Sequence, residues 1–356
     1  MCERLSSGAE RRRRYSSWSK SAAFADLLFC VIIGAAGYSS VTYGGILLFF
    51  QRLMDELSFP QDARAELSRV MGVLQARERD KDFAVLIDQF YQSGCDWSHT
   101  DPELAALSES VGENRYSVDM LYWLCCAERL RAIYQQEGIA DSVFIDTIGD
   151  LLAKLLECHE LHGVWGTFVS SWYPQFYRLQ IFRLGRLEFQ DKTLAEPITD
   201  CEGQVYLSKG ERVKSIHIPS GFGPLTEEAR YDSYRRAYDF FKNERKGAPL
   251  VCFCHSWLLH DSTKEILPPS SNTIAFINDF LIVRQEQEES FPNAWRVFGA
   301  DAQKPTAELP ERTSMQRAYK QYLLSGRKLG YGLGILAFDG GKLVTKEYFQ
   351  SCLDAR

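Results

Sequence analysis

Three side chains suited to acid–base chemistry occupy separate strand-like runs of this 356-residue chain: Glu188, His217 and His255. A histidine with an ordinary pKa of about 6.5 is largely neutral at physiological pH and can take a proton from a reacting group. His217 shares a predicted strand face with Val213 and Ser215, which makes that face polar enough for an active-site wall. We therefore predict His217 as the general base, with Glu188 and His255 as reserves. The structural alternative is a histidine hydrogen-bonded inside the sheet.

A glycine-rich turn follows His217 and precedes a predicted helix at residues 226–244. Backbone N–H groups at the start of a helix attract anions, and glycine lets the backbone approach a ligand closely. The predicted ligand-binding residues of this turn are Ser220, Gly221 and Gly223.

Acidic residues at the start of the same helix oppose that prediction. Glu227 and Glu228 occupy the first helical turn, where they would repel a phosphate. The alternative is a tight structural turn in which Thr226 caps the helix. A second glycine-containing run, Arg327 to Gly332, lies between a helix and a strand, so we expect strand glycines there and no anion site.

The cysteines indicate neither a metal site nor a disulfide framework. Ten are present without a CxxC pair, which favours buried, reduced thiols and a cytoplasmic protein. Cys252 and Cys254 share one strand face and His255 lies on the other, so these three side chains do not form a chelate. We predict no bound metal.

Composition and charge exclude two classes of protein. With 45% hydrophobic and 25% charged residues, the chain is globular and not disordered. Residues 54–182 contain 21 acidic and 10 basic residues, and residues 183–356 are almost balanced. No block is basic enough for a nucleic-acid interface, so the expected partners are small molecules.

Periodicity divides the chain after residue 53 into two domains. Residues 54–182 show apolar residues at helical spacing, interrupted by a polar segment at 92–114 that we predict as a loop. The charges of these helices are expected to face solvent. Strand-like runs, among them 182–189 and 294–299, are mixed with predicted helices at 226–244 and 313–325. Residues 183–354 are therefore predicted as an α+β domain on which the helical domain packs. The aromatic residues between positions 165 and 177 are expected at the junction.

The first 53 residues are predicted to lie outside both domains. Residues 27–50 include an uncharged stretch behind four arginines, long enough for one transmembrane helix. Several glycines make the stretch only moderately apolar, and Met54 resembles a natural start. We favour an extension from a misplaced start codon, with a membrane anchor as the alternative.

A set of short runs, in this order, resembles a known family. The runs are Phe182-Arg-Leu-Gly-Arg-Leu-Glu-Phe, Ile216-His-Ile-Pro-Ser-Gly, Gly223-Pro-Leu-Thr, Cys254-His-Ser-Trp-Leu-Leu, Leu267-Pro-Pro-Ser-Ser-Asn and Thr313-Ser-Met-Gln-Arg. Over roughly residues 57–352 the chain is similar to bacterial acyltransferase domain-containing proteins, which pair a helical N-acyltransferase N-terminal domain with a GNAT-like C-terminal domain.

That resemblance implies an enzyme that transfers an acyl group from acyl-CoA, as co-substrate, to an amine. It implies that Ser220, Gly221 and Gly223 hold the CoA pyrophosphate and that the strand bearing His217 passes beside the thioester. The Gln or Arg that usually comes three residues before the first glycine is replaced by Ile218. The alternative function is therefore a non-catalytic protein that binds a ligand or partner on a degenerate acyltransferase fold.

Overall fold

The computed structural model describes residues 43–354. Most of the predicted extension, and residues 27–42 of the predicted membrane segment, lie outside the described residues. Within the described range, no helix combines the length and the apolar character needed to cross a membrane.

The helical domain surrounds one central helix. Its members are α1 (Tyr43–Glu56), α2 (Gln61–Ala76), α3 (Asp80–Gln92), α4 (Trp97–Val111), α5 (Arg115–Gln136), α6 (Asp141–Ile148), α7 (Asp150–His162) and the single turn α8 (Pro174–Tyr177). Helix α5 is buried on every side through most of its length, because α1, α2, α4 and α6 all pack against it.

Packing in this domain begins before residue 54. Phe49, Phe50 and Leu53 of α1 are buried in the main core, with Phe50 and Leu53 each only 1% exposed. Met54 lies inside the same helix. The predicted domain boundary at residue 54 is therefore too late in the chain.

The predicted loop at residues 92–114 is wrong for most of its length, because it contains α4. Asp96 caps the start of α4 by accepting a hydrogen bond from the backbone of Ser98 at 2.9 Å. Gly112 ends it in the left-handed conformation, with φ +68°. The polar residues that resemble a loop are thus helix caps and one exposed helix face.

A six-stranded mixed sheet forms the second domain. Its strands are β1 (Ile181–Leu184), β2 (Leu187–Thr193), β5 (Arg212–His217), β6 (Leu250–Ser256), β7 (Leu281–Gln287) and β8 (Gly330–Phe338), while β3 (Ile198–Thr199) and β4 (Val205–Leu207) form a separate ribbon. The order is β1-β2-β5-β6-β8-β7, and only the β5–β6 pair is parallel. This confirms the predicted α+β fold.

Two strand predictions need correction. The run from Phe182 to Phe189 is not one strand but the hairpin β1–β2, which turns at Gly185 with φ +76°. Residues 294–299, predicted as a strand, contain the short helix α13 (Trp295–Phe298). Val297 and Phe298 are the kind of β-branched and aromatic residues that favour a strand, but here they are buried from a helix against neighbouring elements.

The remaining helices lie between the strands or after them. They are α9 (Glu227–Phe240), α10 (Lys242–Arg245), α11 (Ser262–Ile266), α12 (Asn272–Ile277), α14 (Ser314–Leu324) and α15 (Thr345–Asp354). Helix α14 begins with a capping box between Thr313 and Gln316. The predicted helices at 226–244 and 313–325 are confirmed, apart from the interruption after Phe240.

The two domains share one core. One sheet face joins the buried residues of the helical domain in a single cluster, whereas the opposite face forms a smaller cluster with Phe349 of α15. Tyr173, Phe176 and Tyr177 of the predicted aromatic junction are buried in the shared cluster. The helical domain therefore packs on the sheet domain as predicted.

Candidate active site

The parallel strands β5 and β6 pair over only two positions, Lys214 with Cys252 and Ser215 with Phe253. Both strands continue for at least two residues past the last pair, so the ladder between them ends before the strands do. His217 and His255 each lie two residues beyond that last pair. Past that pair the two segments are bonded on their outer sides to β2 and β8 and form no ladder with each other.

His217 is held by the neighbouring strand and by the domain junction. Its Nε2 lies 2.9 Å from Oε1 of Gln190, and the Trp172 ring meets its ring edge-on at 4.9 Å. When Nε2–H donates to the amide oxygen, Nδ1 is left as an acceptor. Burial, and then the charge of Lys192, lower the pKa of His217 to about 3. The imidazole is therefore neutral at physiological pH.

Glu188 lies directly opposite His217 in the antiparallel β2–β5 register, and opposite residues project from the same sheet face. The Glu188 side chain is only 1% exposed, and its Oε1 has no hydrogen-bond partner among the described residues. Burial, and then the nearby Asp150, raise the pKa of Glu188 well above its ordinary value. Two of the three predicted acid–base residues thus form one pair.

His255 is not part of that pair. It is partly exposed, lies 3.6 Å from a carboxylate oxygen of Glu286, and stacks on Tyr331 at 5.2 Å. The nearby His255 ring lowers the pKa of Glu286 to about 2. His255 therefore stands on the β6 side of the gap, with β7 and β8 as its neighbours.

The glycine turn lies between β5 and α9. Gly221 and Gly223 both have φ +82°, and a β-carbon on either would meet nothing within 4 Å. Glycine is needed there for its backbone conformation and not for lack of space. Thr226 caps α9 by accepting a hydrogen bond from the backbone of Ala229 at 3.2 Å, as in the structural alternative.

Two arginines bring positive charge to this turn. Arg186 donates to the carbonyl of Gly223 at 2.7 Å and to that of Pro219 at 2.8 Å. The Arg183 guanidinium lies 3.8 Å from the centre of the Phe222 ring. Neither arginine was among the site residues predicted from the sequence.

Helix α7 adds three charged residues to the site, on one helix face: Asp150, Lys154 and Glu157. The expectation that charges of the helical domain face solvent is wrong for all three, which are buried. Lys154 Nζ lies 3.0 Å from Oε2 of Glu157, and Ser220 of the glycine turn donates a hydrogen bond to Oε1 of Glu157. Glu157 thereby links the two domains at the turn. The only sign of this face in the sequence is that the three charged residues recur at helical spacing among leucines.

The other glycine and cysteine runs are structural. A β-carbon on Gly330 would lie 1.9 Å from the carbonyl oxygen of Glu286, and one on Gly332 would lie 2.2 Å from that of Leu259. Cys252 and Cys254 are buried in the main core on the sheet face opposite Phe253, as predicted, and burial raises the pKa of both thiols.

Comparison with known proteins identifies two domains. Residues 49–179 match the model of an N-acyltransferase N-terminal domain, and residues 181–336 match that of a GNAT-like C-terminal domain. A search of curated proteins found no significant match.

Solved structures share this fold. An acyltransferase in complex with decanoyl-CoA and teicoplanin is 22% identical, with a TM-score of 0.57, over 81% of this chain and 87% of that chain. An acyltransferase in complex with decanoyl-CoA is 20% identical, with a TM-score of 0.59 and the same coverage of both chains. At these identities the likeness establishes the fold.

Proposed function

Because the chain belongs to the acyltransferase family that joins an N-acyltransferase N-terminal domain to a GNAT-like C-terminal domain, we propose that it transfers an acyl group from acyl-CoA to an amine. The observation that supports this most directly is the early separation of β5 and β6, with the neutral His217 beside the gap. The acyl-CoA complexes of proteins with this fold favour the same donor.

In the proposed reaction the amine nitrogen attacks the thioester carbonyl carbon. A carbon–nitrogen bond forms, the carbon–sulfur bond breaks, and CoA leaves as the thiolate. His217 takes the proton that the nitrogen loses. Bond formation makes the attacking nitrogen more acidic, which aids this transfer, although a pKa of about 3 lies below the range in which a general base is most effective.

The pyrophosphate of CoA is assigned to the turn that contains Ser220, Gly221 and Gly223. Support comes from the positive φ angles of the glycines and from Arg183 and Arg186 nearby. The amides around a bound anion would be those left free by the turn.

The second candidate function is non-catalytic binding on the same fold. Thr226 already caps α9, Glu227 and Glu228 occupy its first turn, and the Ser220 hydroxyl is engaged by Glu157. These contacts favour a turn that is complete without a phosphate.

Calorimetry separates the two functions. Acetyl-CoA, decanoyl-CoA and the matching acyl-pantetheines are titrated into the protein. An enzyme of the proposed kind binds the CoA esters more tightly than the pantetheines, which lack the pyrophosphate. Binding to none of the CoA esters would exclude acyl-CoA as the donor.

Turnover is then measured as release of the CoA thiol with a panel of amines. His217→Gln keeps a hydrogen-bonding side chain of similar size. We expect it to lower turnover by about two to four orders of magnitude with nearly unchanged acyl-CoA affinity. Equal turnover in the two proteins removes His217 from the reaction.

A further inference from the structure

A second acid–base group lies across the strand gap from His217. The last β5–β6 pair is Ser215 with Phe253. His217 and His255 each follow this pair by two residues. Side chains two positions apart on a strand project from the same face, and paired residues of adjacent strands share a face. The two histidines therefore project from one face of the sheet, one on each side of the gap.

His255 is held in place by the two strands beyond it. Its Nε2 lies 3.6 Å from Oε2 of Glu286 on β7, and its ring stacks on Tyr331 of β8 with 5.2 Å between the ring centres. Arg284 donates to Oε1 of Glu286 at 2.9 Å, and Asn293 donates to the Tyr331 hydroxyl at 2.6 Å. The imidazole thus has a carboxylate as a counter-charge at one nitrogen, and both of its neighbours are fixed by a further contact.

The two histidines differ in their charged neighbours and in their access to water. Nε2 of His217 is occupied by the Gln190 amide at 2.9 Å, and the charge that acts on the ring is the cation Lys192. The His255 side chain is 33% exposed and faces a carboxylate. A proton on His217 would be repelled by a cation, whereas a proton on His255 would meet an anion and could pass to solvent.

An alkylamine acceptor reaches the enzyme as an ammonium ion, because the pKa of such an amine lies about three units above neutral pH. It must lose one proton before its nitrogen can attack, and a second once the carbon–nitrogen bond has formed. We propose that His255 removes the first proton from the incoming ammonium ion, that Glu286 positions His255 and provides its counter-charge, and that His217 removes the second proton. This inference rests on the proposed function.

Every proton in this sequence has a destination. His255 takes the first proton on Nδ1, the nitrogen that does not face Glu286, and later releases it to solvent. Attack then forms the carbon–nitrogen bond and breaks the carbon–sulfur bond. His217 takes the second proton and passes it to the CoA thiolate. The products are the amide, the CoA thiol and one proton in solution.

The pH dependence of kcat/KM separates the two proton transfers. The acceptor is a primary alkylamine that the native protein acylates, and kcat/KM is measured between pH 7 and 9. Without His255 the enzyme depends on free amine from solution, whose fraction rises about tenfold for each pH unit in this range. We expect His255→Gln to lower kcat/KM about a hundredfold at pH 7, and this deficit to shrink about tenfold for each pH unit above 7.

Two variants serve as comparisons. His217→Gln should show the same deficit at pH 7 and pH 9, because free amine still has one proton to lose after attack. His99→Gln, whose native side chain is 80% exposed in the helical domain, should behave as the native protein. Acyl-CoA affinity and the urea midpoint of each variant are measured first, and His255→Asn replaces His255→Gln if the latter does not fold. Native turnover in the His255 variant at pH 7, or an equal deficit at pH 7 and pH 9, would overturn the assignment.

A double-mutant cycle tests the role of Glu286. Glu286→Gln should lower kcat/KM about tenfold at pH 7, with unchanged acyl-CoA affinity, and should have no further effect once His255 is replaced. Equal effects in both backgrounds would overturn the positioning role. A native protein that acylates no amine at any pH would refute the proposed function and this inference with it. An active native protein with an unimpaired His255→Gln variant would refute the inference alone.

Discussion

Glu188 on β2 and His217 on β5 face each other as register partners on one side of the sheet. Gln190 lies two residues further along β2, and its Oε1 is 2.9 Å from Nε2 of His217. The Trp172 ring, from the domain junction, packs edge-on against the histidine ring. The position of the His217 ring is therefore fixed by one neighbouring strand and by the aromatic segment between the domains.

The stability of the fold should depend on His217 in acid. The folded pKa is about 3 and the unfolded value about 6.5, so protons bind preferentially to the unfolded chain between these values. The contribution of the neutral histidine is present above pH 6.5 and is lost as the pH falls toward 3. The unfolding free energy should change by at most about 1.4 kcal/mol per pH unit, and by less than this because part of the ring is solvated.

Urea unfolding from pH 4 to 7 tests this dependence. We expect His217→Gln to flatten the acid loss of unfolding free energy, and His99→Gln, whose side chain is 80% exposed, to leave it unchanged. Curves for the native protein and His217→Gln that remain parallel throughout would contradict a half-buried histidine that stays neutral.

The sequence was sufficient for features that depend on short-range chemistry. The strand before the glycine turn, the Thr226 cap and the alternation of Cys252 and Cys254 with Phe253 all follow from local patterns, and all are confirmed. The division of the chain into a helical domain and a domain that contains the strands follows from hydrophobic periodicity in the same way.

Features that depend on the approach of distant segments were not accessible. The burial of Asp150, Lys154 and Glu157 depends on α7 packing at the domain junction, where Glu157 meets the glycine turn, and no helical pattern specifies this. The end of the β5–β6 pairing is likewise a property of two strands more than thirty residues apart. Asp96 and Gly112 were misinterpreted because capping residues and loop residues have the same composition.

The start of the folded domain can be tested with two substitutions in α1. Phe50→Ala should cost about 3–5 kcal/mol of unfolding free energy, because Phe50 is 1% exposed within the core. Leu48→Ala, two residues earlier and 65% exposed, should change it by less than about 0.5 kcal/mol. A chain that starts at Met54 lacks Phe49, Phe50 and Leu53 and should be less stable than either variant. Equal stability of that chain and the full one would show that α1 is not part of the core.

The charged link between α7 and the glycine turn should stabilise the native state. Glu157→Ala leaves the buried Lys154 without its carboxylate partner and removes the acceptor of the Ser220 hydroxyl, so a loss of about 3–5 kcal/mol is expected. Glu160→Ala, exposed on the same helix, should cost less than about 0.5 kcal/mol. Chemical denaturation gives both values, and similar costs at the two positions would show that the link contributes little.

The junction between the domains should resist proteolysis, because its backbone is part of the shared core. Trypsin offers an internal comparison between two of its cleavage sites. Arg178 lies in the junction and donates to the carbonyls of Gly94 at 2.9 Å and Cys95 at 2.8 Å, whereas the Lys209 side chain is 68% exposed in the loop before β5. Cleavage at Arg178 requires those bonds to break and Tyr177 to leave the core, so it should follow the global unfolding equilibrium.

We expect Lys209 to be cut first under native conditions, and mild urea to accelerate cleavage at Arg178 far more than at Lys209. Mass spectrometry of the early fragments identifies the order. Early release of a stable fragment ending at Arg178 would mean that the two domains do not unfold as one unit.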